Sequence, residues 1–224
     1  LQYDKDWEKS VERIGRWVDF KGGFKTMDNT FIESVWWAFS ELNKKGLVYE
    51  GVRVLAYCAR CETPIANSEI AMDNSYKDIA DISIYVKFEL EDEPKEKHKT
   101  YLLAWTTTPW TLPGNTAIAI NKNIEYVKVK VGNDILILAK ETLQNVLKGK
   151  EYSLLGEVKV KDLIGKKYKP VFPYYQNSDM PNKENIWKVW HADFVTTEKG
   201  TGIAHEAPAF GEDDMNLAKA NDIP

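Results

Sequence analysis

Two prolines, Pro109 and Pro113, stand inside a run rich in threonine and tryptophan, WTTTPWTLPGN at residues 105–115. Proline donates no backbone hydrogen bond and holds φ at about −65°, so an interior strand cannot pass through both positions. Short β-like stretches flank the run at 101–104 and 116–120. The segment must therefore be a strand that breaks into a turn. Successive strand residues face opposite sides, so Thr106 and Thr108 point together and Thr107 opposes them. Their hydroxyls, with the N–H groups freed at the turn, suit a hydroxyl-rich substrate. A Thr-rich β-turn over two buried tryptophans accounts for the same letters.

The amino-terminal part is helical in pattern. Trp7, Val11, Ile14 and Val18 recur at helical spacing over residues 4–18, and Gly22-Gly23 ends the run. A second helix is expected over 30–45, capped by Asp28 or Asn29, with Phe31, Val35, Phe39 and Leu42 on one side and Gly46 as the stop. Both apolar stripes read as core, and residues 47–57 read as a strand. Next comes Cys58-x-x-Cys61, half of a zinc knuckle: two thiolates on one tight turn can share a metal. A structural zinc takes four ligands, and the chain has no second cysteine pair. Its three histidines, His98, His191 and His205, lack knuckle spacing.

From about residue 82 the texture changes to short strands, expected at 82–90, 100–108, 116–120, 126–131, 134–138, 151–161, 167–172 and 186–196. Gly132-Asn133 marks a hairpin turn, the charge run 89–99 a solvated hairpin loop, and residues 140–148 a short helix. The expected class is α+β: a mainly antiparallel β-barrel at 76–224 after a helical stem and connective region at 1–75.

A second cluster, GTGIAHEAPAFGEDD at 200–214, places glycines for close backbone approach before a short buried strand that ends at His205. Glu212, Asp213 and Asp214 then open a final helix at 213–221, where the helix dipole favours acidic residues. A carboxylate there facing a pocket would instead hold a cationic amine. The chain has no GxSxG elbow, no GxxxxGK[ST] and no GxGxxG, so covalent serine catalysis and the nucleotide-cradling loops have no support.

Net charge is −4, which argues against a chain held on nucleic acid by bulk electrostatics. No apolar run approaches the roughly 20 residues a membrane helix needs, so no membrane partner is expected. Two cysteines so close together are not a secreted disulfide framework, which points to a reducing, cytoplasmic compartment. The first residue is not Met, and the chain is expected to be an excised piece of a longer one.

RIGRWVDF, KTMDNTFIESVWWAFSELNKKGLVYEGVRV, YCARCETPIANSEI, WTTTPWTLPGN and GTGIAHEAPAFGEDD together cover nearly the whole chain. In that combination the chain resembles isoleucyl-tRNA synthetases, in the editing domain (the connective polypeptide) inserted in their catalytic domain. Valyl and leucyl relatives share the Thr-rich motif and the GTG segment. They typically lack a histidine at the position of His205 and differ from PAFGEDD. The resemblance implies a β-barrel that hydrolyses the ester of mischarged valyl-tRNA(Ile) and spares isoleucyl-tRNA, by an ordered water. Asp214 matches the aspartate that pairs with the free α-amino group, and His205 the histidine lining the side-chain pocket. Thr106, Thr107 and Thr108 match residues around the ester and the 3′-terminal adenosine. Trp110, Thr111 and Asn115 match neighbouring pocket residues. Thr106, Thr107, His205 and Asp214 are thus the candidate catalytic set.

Gly114 departs from the alanine common in the family. Cys58 and Cys61 match the first half of a zinc site whose second half would lie after Pro224, so zinc belongs to the parent enzyme. HIGH and KMSKS are absent, which leaves ATP and Mg to the parent's synthetic site and implies no cofactor for this piece. The expected partners are the 3′ end of valyl-tRNA(Ile) and the rest of the parent, with the piece itself a monomer. Two alternatives stand beside this one: the editing domain of the valyl or leucyl homologue, and a module that binds without efficient hydrolysis.

Overall fold

The computed structural model describes residues 2–91 and 98–224. Most of the charge run read as a hairpin loop at 89–99 therefore lies outside the described residues. Two compact units divide the chain, Leu1–Val52 and Arg53–Pro224.

The first unit holds helices α1 (Gln2–Arg13) and α2 (Asn29–Lys44). Asp28 occupies the N-cap of α2 with extended dihedrals. Helix α1 ends well before Val18, and Gly15 beyond it takes the left-handed φ of +78° that glycine tolerates best. The apolar stripes have the expected spacing, but neither helix buries a residue. Trp7, Trp36 and Trp37 are each about two-thirds exposed, so the reading of these faces as core is corrected. The expected strand at 47–57 shrinks to β1 (Ala56–Cys58), which pairs antiparallel with β2 (Thr63–Ile65) across the cysteine turn. A short α3 (Asn67–Ile70) follows.

The second unit continues with β3 (Ile84–Glu89), β4 (Lys99–Thr106), β5 (Ala117–Ile120), β6 (Tyr126–Val131) and β7 (Asp134–Ala139). After α4 (Leu143–Val146) come β8 (Ser153–Val158), β9 (Lys188–His191), β10 (Ile203–Glu206) and α5 (Glu212–Ala220). These strands form two open sheets among the described residues, not one closed barrel. One has the order β3-β4-β7-β6-β8 and the other β10-β5-β9. Most pairings are antiparallel, but β4 with β7 and β5 with β9 are parallel. Residues 167–172 form no strand and contribute only isolated bridges, Leu90 to Tyr168 and Lys167 to Lys188. Pro170 has no N–H to give, so a full ladder does not run through this stretch.

Strand β5 is the centre of the smaller sheet. Its sequence AIAI has no polar face, and all four residues are buried, as expected of a strand covered on both sides. Ile118 and Ile120 share a core with Phe88, Leu102, Ile137 and Tyr168, so side chains from both sheets fill one interior. The Gly-Thr-Gly segment is pinned to it: Ala139 N–H donates to Thr201 O at 2.8 Å and Tyr126 O–H to Gly202 O at 2.7 Å. Gly202 sits at φ +70°, and a Cβ there would fall 2.5 Å from the buried Ala139 Cβ. Gly202→Ala is expected to destabilise the fold by roughly 2–4 kcal/mol, left-handed strain adding to overpacking, measured by denaturant unfolding.

Candidate functional site

Two distant stretches meet because β5 and β10 pair antiparallel. The register sets His205 opposite Ile118 and Glu206 opposite Ala117. Since β5 begins just after the Thr-Pro-Trp run, this ladder lays the end of that run against the end of β10. Thr116 N–H donates to Glu206 O at 3.1 Å.

The run breaks as its prolines demand. Strand β4 ends at Thr106, and Pro109–Gly114 forms a 3₁₀ turn with Pro109 at its start. Thr108 N–H donates to Thr106 Oγ1 at 3.0 Å, and the two hydroxyl oxygens lie 3.3 Å apart. Thr106 and Thr108 thus point together, with Thr106 buried and Thr107 and Thr108 exposed. The turn brings Thr111 inward, where its hydroxyl donates to Thr108 O at 2.8 Å.

That bond decides the state of His205. With its only proton given to Thr108 O, Thr111 Oγ1 accepts from His205 Nε2–H at 2.8 Å. On the other side of the ring, Asn115 Nδ2 lies 3.2 Å from His205 Nδ1 and 2.8 Å from Ala117 O. A carbonyl demands a donor, so the amide orientation is fixed and Nδ1 accepts. Asn115 Oδ1 in turn accepts from Tyr168 O–H at 2.6 Å. His205 is therefore neutral and carries its proton on Nε2. Burial pushes its pKa below the usual 6.5, against the pull of the Asp214 charge. A protonated ring would turn an Nδ1–H onto the Asn115 amide N–H. Neither nitrogen is left to take a proton from water, which suits a wall better than a base.

Asp214 lies in the first turn of α5 and folds back over Gly211, where a Cβ would come 2.0 Å from Asp214 Oδ2. Its Oδ1 accepts from Ala207 N–H at 2.7 Å. Its carboxylate is also hydrogen-bonded to the side chain of Glu206. Glu206 is only 2% exposed. Burial first, then the neighbouring Asp214, pushes its pKa up to about 8, so Glu206 keeps its proton at neutral pH and donates it.

One continuous set of contacts thus joins Thr106, Thr108, Thr111, Asn115 and His205. Asp214 is tied to it through Glu206 and Ala207, the two residues that follow His205. Thr107 and Trp110 stand outside this set, Trp110 being 62% exposed. Its face is open to a stacking base, as is the 60% exposed Phe210. A Cβ on Gly114 would come 2.7 Å from Phe210 Cε2, the free end of that ring. The departure from alanine therefore bears on how Phe210 lies. Glu206 and Tyr168 escaped the reading of motifs. An acidic residue between the apolar Ile203-Ala204 and Ala207 was the available signal for Glu206; Tyr168 had none.

On the β1–β2 turn, Cys61 N–H donates to Cys58 Sγ at 3.4 Å. Hydrogen bonds from the backbone and side chain of Cys61 hold the Cys58 thiol below its usual pKa. No third His, Cys, Asp or Glu joins them among the described residues. Two of the four ligands of a structural zinc are present, so these residues do not complete one.

A family model described as "tRNA synthetases class I (I, L, M and V)" matches residues 1–205. A probable cytoplasmic isoleucine–tRNA ligase of Dictyostelium discoideum is 46% identical over 228 residues, covering 100% of this chain and 20% of that protein. An isoleucine–tRNA ligase of Clostridium tetani is 43% identical over 222 residues, covering 99% and 20%. The chain therefore spans about a fifth of the length of these curated relatives. Among solved structures, one described as "GlLeuRS-CP1" superposes with a TM-score of 0.51 at 20% identity, over 64% of this chain and 65% of that one, a likeness of fold.

Proposed function

Because the chain belongs to the class I tRNA synthetases, we propose that it is the editing domain of an isoleucyl-tRNA synthetase and hydrolyses the ester of valyl-tRNA(Ile). The observation that carries this reading is the hydrogen-bonded join between the two motifs. His205 donates to Thr111 at 2.8 Å while Asp214 sits on the N–H of Ala207, two residues further along. A carboxylate, a neutral imidazole wall and paired hydroxyls on one junction match the parts of an aminoacyl ester: its ammonium, its side chain and its ribose oxygens. The isoleucine branch is favoured by the 46% and 43% identity to isoleucine ligases.

Asp214 holds the α-ammonium by a charge-assisted hydrogen bond. His205 limits the depth available to the amino-acid side chain. Thr106 and Thr108 line the approach of the ester, and Trp110 packs on the terminal adenosine. No nucleophilic side chain is required. A positioned water attacks the carbonyl carbon, the ester C–O bond breaks, and valine and the tRNA hydroxyl leave. Developing oxyanion charge is met by hydroxyl or backbone N–H donors at the turn.

A second sieve answers a physical limit. One missing methylene supplies only about 1–3 kcal/mol of discrimination; isoleucine against valine in this family is the standard example of that general figure, which was not measured on this chain. The reading is tested by deacylation of valyl-tRNA(Ile). Asp214→Ala is expected to lower kcat/KM by about 10- to 100-fold, the worth of a hydrogen bond to a charged group. Equal activity in the two proteins would remove Asp214 from the site. Clearance of another mischarged tRNA in preference would move the chain to a sister branch.

A further inference from the structure

Glu206 is a carboxyl group at the end of β10, 2% exposed, and the motifs assign it nothing. Across from it on β5 is Ala117, which brings no polar partner. Its side chain turns to Asp214 on α5 and hydrogen-bonds there, and the next residue, Ala207, gives its N–H to the same carboxylate at 2.7 Å. Two consecutive residues therefore grip Asp214, one by a side-chain O–H and one by the backbone. Among the described residues, the titratable groups that interact with Glu206 are Asp214 and Asp213 on α5 and the buried Tyr168, none of them a cation.

We propose that Glu206 is the positioning residue of the amine-binding carboxylate: by donating to Asp214 it aims the remaining lone pairs of that carboxylate at the substrate ammonium. This rests on the editing reading above. The neutral form is the useful one. An ionised Glu206 would repel Asp214, whereas the protonated group fixes it and leaves the pair with one negative charge for one ammonium.

The test is calorimetric titration of the 224-residue chain with a non-hydrolysable valyl-adenosine amide near neutral pH. Glu206→Gln keeps an N–H donor for Asp214 and is expected to bind within about threefold of wild type. Glu206→Leu keeps volume without a donor and is expected to bind about tenfold more weakly, as for a lost hydrogen bond to a charged group. Glu206→Met replaces it if the leucine variant does not melt cooperatively. In the double variant with Asp214→Ala, the Glu206 change is expected to add nothing, because its only route to the ligand is gone. Wild-type affinity in Glu206→Leu, failure of Gln to rescue, or full additivity overturns the proposal. If Asp214→Ala itself binds as wild type does, or if wild type does not bind the amide, the editing reading falls as well.

Discussion

Raising the pH from about 5 to about 9 is expected to strip the folded chain of roughly 4 kcal/mol that the Glu206→Gln variant retains. The cause is the gap between the ordinary carboxyl value of 4.5 and the value of about 8 that burial imposes on Glu206. Below 4.5 the group is protonated in both folded and unfolded chains, and its contribution is fully present. Above 4.5 the unfolded chain ionises while the folded one does not, so stability falls as pH rises until the folded group also ionises near 8. Glutamine never ionises and removes the slope. His205 has the opposite sign: its folded pKa is depressed from 6.5, so its contribution is present above 6.5 and is lost as pH falls below that value. The glutamine variant should keep this acid-side loss. Urea midpoints at several pH values give both slopes. An alkaline slope that persists in Glu206→Gln would show that another group carries it.

Such a prediction was out of reach from the letters alone, and the reason is physical. The sequence made local features legible wherever a residue forces its own backbone. Pro109 and Pro113 placed a break in the Thr-rich run, although the strand expected over 100–108 ends two residues early at Thr106; Gly132-Asn133 placed the turn between β6 and β7, and the period-two pairing of Thr106 with Thr108 holds at 3.3 Å. What depends on tertiary register was not legible. The two parallel pairings, the division into two sheets and the loss of strand at 167–172 follow from which edges find each other. The helical stripes of α1 and α2 predicted a covered face, yet Trp36 and Trp37 are exposed, because periodicity says which side is apolar and not what lies on it. The site divides likewise. His205 and Asp214 carry chemistry in their motif, whereas Glu206 gains its role only when α5 folds back on the end of β10, and Tyr168 only when it reaches Asn115 at 2.6 Å.

His205→Ala is expected to admit isoleucyl ester while leaving valyl ester hydrolysis within several-fold of wild type. Thr111 and Asn115 hold the imidazole from both nitrogens, so the ring does not swing aside for a longer substrate. A fixed ring acts as a wall, and its removal opens space for the extra methylene. The two residues that hold it keep other partners: Thr111 still donates to Thr108 O, and Asn115 to Ala117 O. The turn should therefore survive the substitution, and the effect should fall on selectivity. Its ceiling is the worth of one methylene in a pocket, about 10- to 200-fold, the general figure for which isoleucine against valine is the usual example. Comparing kcat/KM for valyl- and isoleucyl-tRNA(Ile) in both proteins gives the ratio directly. A collapse driven by faster isoleucyl turnover is the signature of a lost wall. If valyl turnover falls instead while isoleucyl ester stays excluded, His205 acts on the reaction and not on the side chain.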